Sequence, residues 1–168
     1  TYEVPKLTDE VRAIRAAAAA WTPSKPLEGS LPASVDNSKL KYFPKIFDQK
    51  GGSCAQSSGI RYLFTYEMNR LLDRDAQASD ANTFSYFYTW NFLNDGIDQG
   101  GFAEQGLNIA RQQGAMSLAD FPDPSSYFTF KWASGYDRYT RAMQNRVKEI
   151  ISFEVTSQEG VDLARRYL

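Results

Sequence analysis

The chain has 168 residues, with 19 basic and 20 acidic side chains, no histidine and one cysteine. Apolar residues make up 42% and charged residues 23%, a balance that supports one domain with a buried core, or one such unit plus an arm. A formal charge of −1 gives no electrostatic ground for a nucleic-acid partner. A lone cysteine excludes an internal disulfide, and the missing histidine excludes any histidine-bearing metal site or catalytic pair within these residues.

No membrane span is expected, because the most hydrophobic stretch, Ala16 to Trp21, falls far short of the roughly 20 residues a spanning helix needs. Thr1-Tyr2-Glu3-Val4-Pro5 has neither a start Met nor the basic and apolar regions of a signal peptide, so the N-terminus reads as processed. Thr8, followed by Asp9 and Glu10, marks a helix start, with Val11, Ile14, Ala18 and Trp21 on one face and Pro23 as the stop. Prolines, Gly29 and serines from Pro23 to Pro32 make a linker. Residues 1–30 therefore read as an arm, and 31–168 as the body.

Residues 31–53 look irregular and extended, ending in a Gly51-Gly52-Ser53 turn. Ile60, Leu63, Phe64, Met68, Leu71 and Leu72 then recur at helical spacing and predict a core-facing stripe. Six aromatics crowd residues 84–92, and aromatics of this bulk serve as core more often than as a ligand platform. A loop with Gly100 and Gly101 leads to a helix over about 103–113, stopped by Gly114. Tyr136, Tyr139, Met143, Val147 and Ile150 support another helix. Ile151, Phe153 and Val155 alternate as a short strand does, and Thr156 with Glu159 forms a capping box for a last helix.

The segment Gln49-Lys50-Gly51-Gly52-Ser53-Cys54-Ala55 carries the most chemistry. A cysteine at a helix N-terminus sees unpaired backbone N–H groups and the positive end of the macrodipole, the setting in which a thiol serves as a nucleophile. The glycines let the chain turn sharply and leave the sulfur open. An upstream side-chain amide could aim its N–H at the oxygen of a tetrahedral intermediate, beside the backbone N–H of Cys54. A small buried apolar role for the cysteine is the competing reading.

These residues resemble the papain-like cysteine peptidases, whose pattern is a Gln, a Gly/Ser-rich turn, the nucleophilic Cys and a long helix. Leu31-Pro32-Ala33-Ser34-Val35-Asp36 is similar to the family's mature start. Gln99-Gly100-Gly101-Phe102-Ala103 resembles its substrate-binding glycine stretch, and Gly114 to Pro122 resembles the Gly…Tyr-Pro stretch that follows. The resemblance spans residues 31 to about 125 in order. Ala55 stands where an aromatic usually follows the nucleophile, the Gln49–Cys54 spacing is one residue short, and the family's disulfides are missing, as in a divergent bacterial branch.

The resemblance implies an α+β fold: a mainly helical left-hand domain plus the beginning of a right-hand β domain, incomplete in this chain. It implies Cys54 as nucleophile and Gln49 as oxyanion donor, with Gly100, Gly101, Phe102 and Ser53 contacting a peptide or protein substrate. No metal or other cofactor is implied. The family's base, a His oriented by an Asn, comes roughly 130–150 residues after the Cys, beyond Leu168. Both are therefore expected on a C-terminal companion chain, left after cleavage near Leu168, in an extracytoplasmic two-chain enzyme. A papain-like scaffold that binds peptides or glycans without catalysis is the alternative.

Overall fold

A continuous helical rod runs over residues 54–72, and the helices that follow it at 86–91 and 103–113 pack against it. The computed structural model describes residues 7–19, 29–94, 97–125 and 132–167. Trp21 and the 23–28 part of the expected linker lie outside them. Among the described residues the chain is mainly helical. The elements are α1 (Asp9–Ala19), α2 (Cys54–Gln56), a π segment (Ser57–Phe64), α3 (Thr65–Leu72), α4 (Tyr86–Asn91), α5 (Ala103–Gln113), α6 (Tyr136–Gln144) and α7 (Gln158–Arg165). Short 3-10 turns sit at Asn37–Lys39 and Asp80–Asn82.

Helix α1 begins where the sequence places it, with the Thr8 hydroxyl accepting from the Val11 N–H at 3.2 Å. Val11 is fully buried. Helix α1 lies against α5, with Arg15 paired to Glu104 at 2.6 Å. Helix α5 also ends as expected: Gly114 adopts φ +82, and a Cβ there would stand 1.8 Å from the Ala142 carbonyl oxygen. No residue with a side chain fits that approach to α6.

The rod departs from the expected apolar stripe. Residues 57–64 form a π-helix, in which the Thr65 N–H reaches back to the Ile60 carbonyl. This wider turn changes the angular phase, so i, i+4 and i+5 share a face and i+3 falls away. Ile60, Phe64 and Thr65 are accordingly buried, whereas Leu63 is 51% exposed and Leu71 78% exposed; Leu72 is exposed too. The buried face is instead partly polar: Arg61, Thr65 and Asn69, spaced four apart, are all enclosed. Each holds backbone of the 82–84 segment. Arg61 Nε donates to the Phe84 carbonyl at 2.9 Å, Thr65 Oγ1 accepts from the Phe84 N–H at 3.0 Å, and Asn69 donates to the Asn82 carbonyl at 2.7 Å.

The other edge of this segment pairs with residues 116–118. Ser85 N donates to the Met116 carbonyl and Leu118 N to the Thr83 carbonyl, forming a single antiparallel bridge between Phe84 and Ser117. That bridge is the only β pairing among the described residues. The expected strand at Ile151–Val155 is therefore a correction: the residues alternate, but a strand needs a ladder partner, and none is present there. The described residues are thus mainly helical, and the expected β part is not seen among them. Phe153 packs on Tyr167 instead, ring centroids 4.9 Å apart. Two further boundaries shift. Helix α6 ends at Gln144, before Val147 and Ile150, which join the core from the following segment. Ser157, one residue beyond Thr156, caps α7 by accepting from the Gly160 N–H at 3.1 Å.

The aromatic run supplies the core. Tyr86, Phe87, Tyr88 and Trp90 cluster with Met116, Phe121 and Ala142, while Phe84 joins Ile60, Phe64, Ala110, Ala115 and Val147 in a second cluster. Tyr88 brings its hydroxyl into the first cluster without a hydrogen-bond partner among the described residues. Burial, helped by nearby Tyr139, pushes its phenol up to about 12. An unpaired buried hydroxyl costs about 1–3 kcal/mol, so Tyr88→Phe is expected to stabilise the fold by about 1 kcal/mol. Because the folded value lies above the free phenol value of 10.0, Tyr88 is fully compatible with folding below the free value. Stability is then lost as pH rises toward the folded value. Urea midpoints at neutral pH and at about pH 11 should show the variant's advantage widening in alkali.

Candidate functional site

Gly51, Gly52 and Ser53 turn the chain into the rod, and Cys54 is its first helical residue, with an exposed side chain. Gly51 has φ +63, and a Cβ there would meet Asp98 Oδ1 at 2.7 Å and the Trp90 ring at 2.8 Å. Only glycine fits both constraints. The turn is tied from below: the Tyr86 hydroxyl accepts from the Lys50 N–H at 3.2 Å, and Ser53 Oγ donates to the Lys50 carbonyl at 2.7 Å. Burial raises the Tyr86 phenol above its ordinary value, which keeps it a neutral hydroxyl there.

The second loop of the expected site lies beside this turn. Gln56, one turn into the rod and 1% exposed, donates to the Phe102 carbonyl at 2.9 Å and accepts from the Thr89 hydroxyl at 3.1 Å. Phe102 precedes α5, where its N–H is held by Gln105 Oε1 at 3.0 Å. Arg15 of α1 covers the Phe102 ring, guanidinium carbon 5.6 Å from the centroid. The close approach of rod and α5 depends on two helix-interior glycines. A Cβ on Gly59 would lie 3.1 Å from the Ala103 Cβ, and one on Gly106 would overlap Gln56 Oε1 at 1.6 Å.

The structure therefore brings the Cys54 turn together with the loop carrying Gly100, Gly101 and Phe102, all three of which are half-buried. It treats two expected residues differently. Ser53 is fully enclosed, and its hydroxyl is engaged within the turn, donating to the Lys50 carbonyl. Gln49 is half-buried, and no hydrogen bond among the described residues joins it to Cys54.

Sequence reasoning did not give Gln56, Asp98, Trp90 or Tyr86 the task of holding the two loops in place. One signal was available for Gln56: an isolated glycine inside a helical pattern, such as Gly59 or Gly106, marks a close approach of another element. Among the described residues no group of three or more His, Cys, Asp or Glu side chains could hold a metal ion, and no helix is long and apolar enough to cross a membrane. No family model, no curated protein and no solved structure matches the chain.

Proposed function

We propose that this chain carries the nucleophile of a papain-like cysteine peptidase. Cys54 would attack the carbonyl of a peptide bond, and its own backbone N–H would help hold the resulting oxyanion. The observation that carries the reading is the position of Cys54: an exposed cysteine heading a long helical rod, with a glycine loop fastened to that rod by Gln56. A nucleophile must be open to substrate while its backbone is held rigidly, and this arrangement meets both needs. The loop of Gly100, Gly101 and Phe102, half-buried and tied to the rod by Gln56, is the proposed edge for pairing with an extended peptide. Gln49 is the proposed second oxyanion donor.

The chain has no histidine, so the histidine that takes the proton of the cysteine in papain-like peptidases would come from outside these residues. The proposed partner is a C-terminal companion segment bearing His and Asn in the right-hand β domain, with the enzyme working outside the cytoplasm. The test is chemical labelling of the complete protein. Iodoacetamide or a peptidyl epoxide should modify Cys54 stoichiometrically, and peptide hydrolysis should fall in proportion to the fraction labelled. Hydrolysis that persists after full labelling would refute the proposal. An unreactive Cys54 together with peptide or glycan binding would assign the chain to a non-catalytic scaffold.

A further inference from the structure

Asp98 precedes the glycine loop and is exposed to solvent, yet its carboxylate is not idle. Oδ1 accepts from the Gly52 N–H at 2.5 Å, across 46 residues of sequence. The same oxygen stands over the α-carbon of Gly51, at the distance that forbids a Cβ there. The neighbouring residue, Gln99, is held from two further directions: its carbonyl accepts from the Trp90 indole N–H at 3.1 Å, and its side-chain amide donates to the Leu93 carbonyl at 3.0 Å. Trp90 in turn packs under Gly51 and belongs to the buried aromatic core. The carboxylate of Asp98 is thus mounted on a rigid base and fixes the turn two residues before Cys54.

We infer that Asp98 is a positioning residue: its carboxylate cross-ties the turn bearing Cys54 to the loop bearing Gly100, Gly101 and Phe102, setting the distance between nucleophile and substrate-binding edge. This rests on the peptidase reading for its consequence, not for its geometry. Three other ties hold the two sides from behind, through Gln56, Tyr86 and Trp90, but none of them hydrogen-bonds to the backbone of Gly51 or Gly52. A charge-assisted bond to an N–H is roughly twice as strong as a neutral one, and Asn at this position keeps an acceptor while losing the charge. A carboxylate is therefore the best acceptor for this turn, an amide a partial substitute, and a methyl group none.

The chemical consequence separates binding from turnover. In Asp98→Ala the glycine loop keeps its attachment to Gln56 and α5, so substrate still docks. The sulfur then drifts relative to the docked carbonyl, and misplacement by about 1 Å costs about 100-fold in rate. The experiment compares Asp98→Ala and Asp98→Asn with the unaltered complete protein, following steady-state peptide hydrolysis and Gly52 amide hydrogen exchange. In Asp98→Ala, kcat should fall roughly 10- to 100-fold with KM within about threefold, and Gly52 exchange should speed up at least about tenfold. Asp98→Asn should recover most of both losses. A merely structural role would lower the melting temperature without splitting kcat from KM and without rescue by Asn. Unchanged Gly52 exchange in Asp98→Ala would overturn the inference. Failure of the peptidase reading shows itself separately, as hydrolysis retained in Cys54→Ala, and leaves the exchange result to decide the cross-tie alone.

Discussion

Cys54→Ala is expected to lower peptide hydrolysis by the complete protein by at least about 10³-fold while leaving its melting temperature almost unchanged. The two halves of this expectation have different physical origins. Removing the attacking atom leaves only binding and oxyanion stabilisation, which accelerate hydrolysis weakly without a nucleophile. The thiol itself is exposed, so its loss opens no cavity and strands no polar group. Surface substitutions of that kind fall within about 0.5 kcal/mol. Initial rates and thermal melts on the same preparation check both halves. A large drop in melting temperature would mean that the sulfur is packed into the core, and hydrolysis retained would remove Cys54 from the chemistry.

Arg61→Ala is expected to be the most destabilising of the substitutions considered, at about 3–5 kcal/mol. The guanidinium is almost wholly enclosed, with 4% of the side chain exposed. Its Nε donates to the Phe84 carbonyl, its Nη2 is ion-paired to Asp123, and its guanidinium carbon lies over two rings, 4.3 Å from the Phe47 centroid and 5.3 Å from that of Tyr86. Alanine would leave the Phe84 carbonyl unpaired, take the partner from the partly exposed Asp123 carboxylate and open a void between the rings. Lysine is not a conservative replacement, because a point charge cannot both stack and fork. A domain of this size has only about 5–15 kcal/mol in total, so the variant should unfold at a much lower urea concentration. Since Tyr86 also holds Lys50, the substitution should loosen the turn before Cys54. A shift in stability below about 1 kcal/mol would show that the pair is hydrated and the stacking unimportant.

Several elements were legible because their signals are local. A hydroxyl before two carboxylates starts α1 at Thr8, and a glycine after eleven helical residues ends α5 at Gly114. The Gly51-Gly52 pair reports a turn that φ +63 at Gly51 makes real. The bulk of the aromatics in 84–92 was enough to place them in the core. The expected pairing of the Cys54 turn with the Gly100–Phe102 loop came from resemblance and not from any local signal, because 46 residues separate Gly52 from Asp98.

What the amino-acid sequence determined by itself was most of the helices, with a cysteine heading the longest of them, since caps, glycines and apolar spacing act over a few residues. Tertiary structure alone decided which side of that helix faces inward. The buried positions include Arg61, Thr65 and Asn69, which periodicity counts as surface, while Leu63 and Leu71 stand outside. A polar side chain can be buried only where another part of the chain satisfies it, and here that partner is the 82–84 backbone. The missing strand at 151–155 follows the same logic, because alternation proposes a strand but only a neighbouring strand can complete its hydrogen bonds.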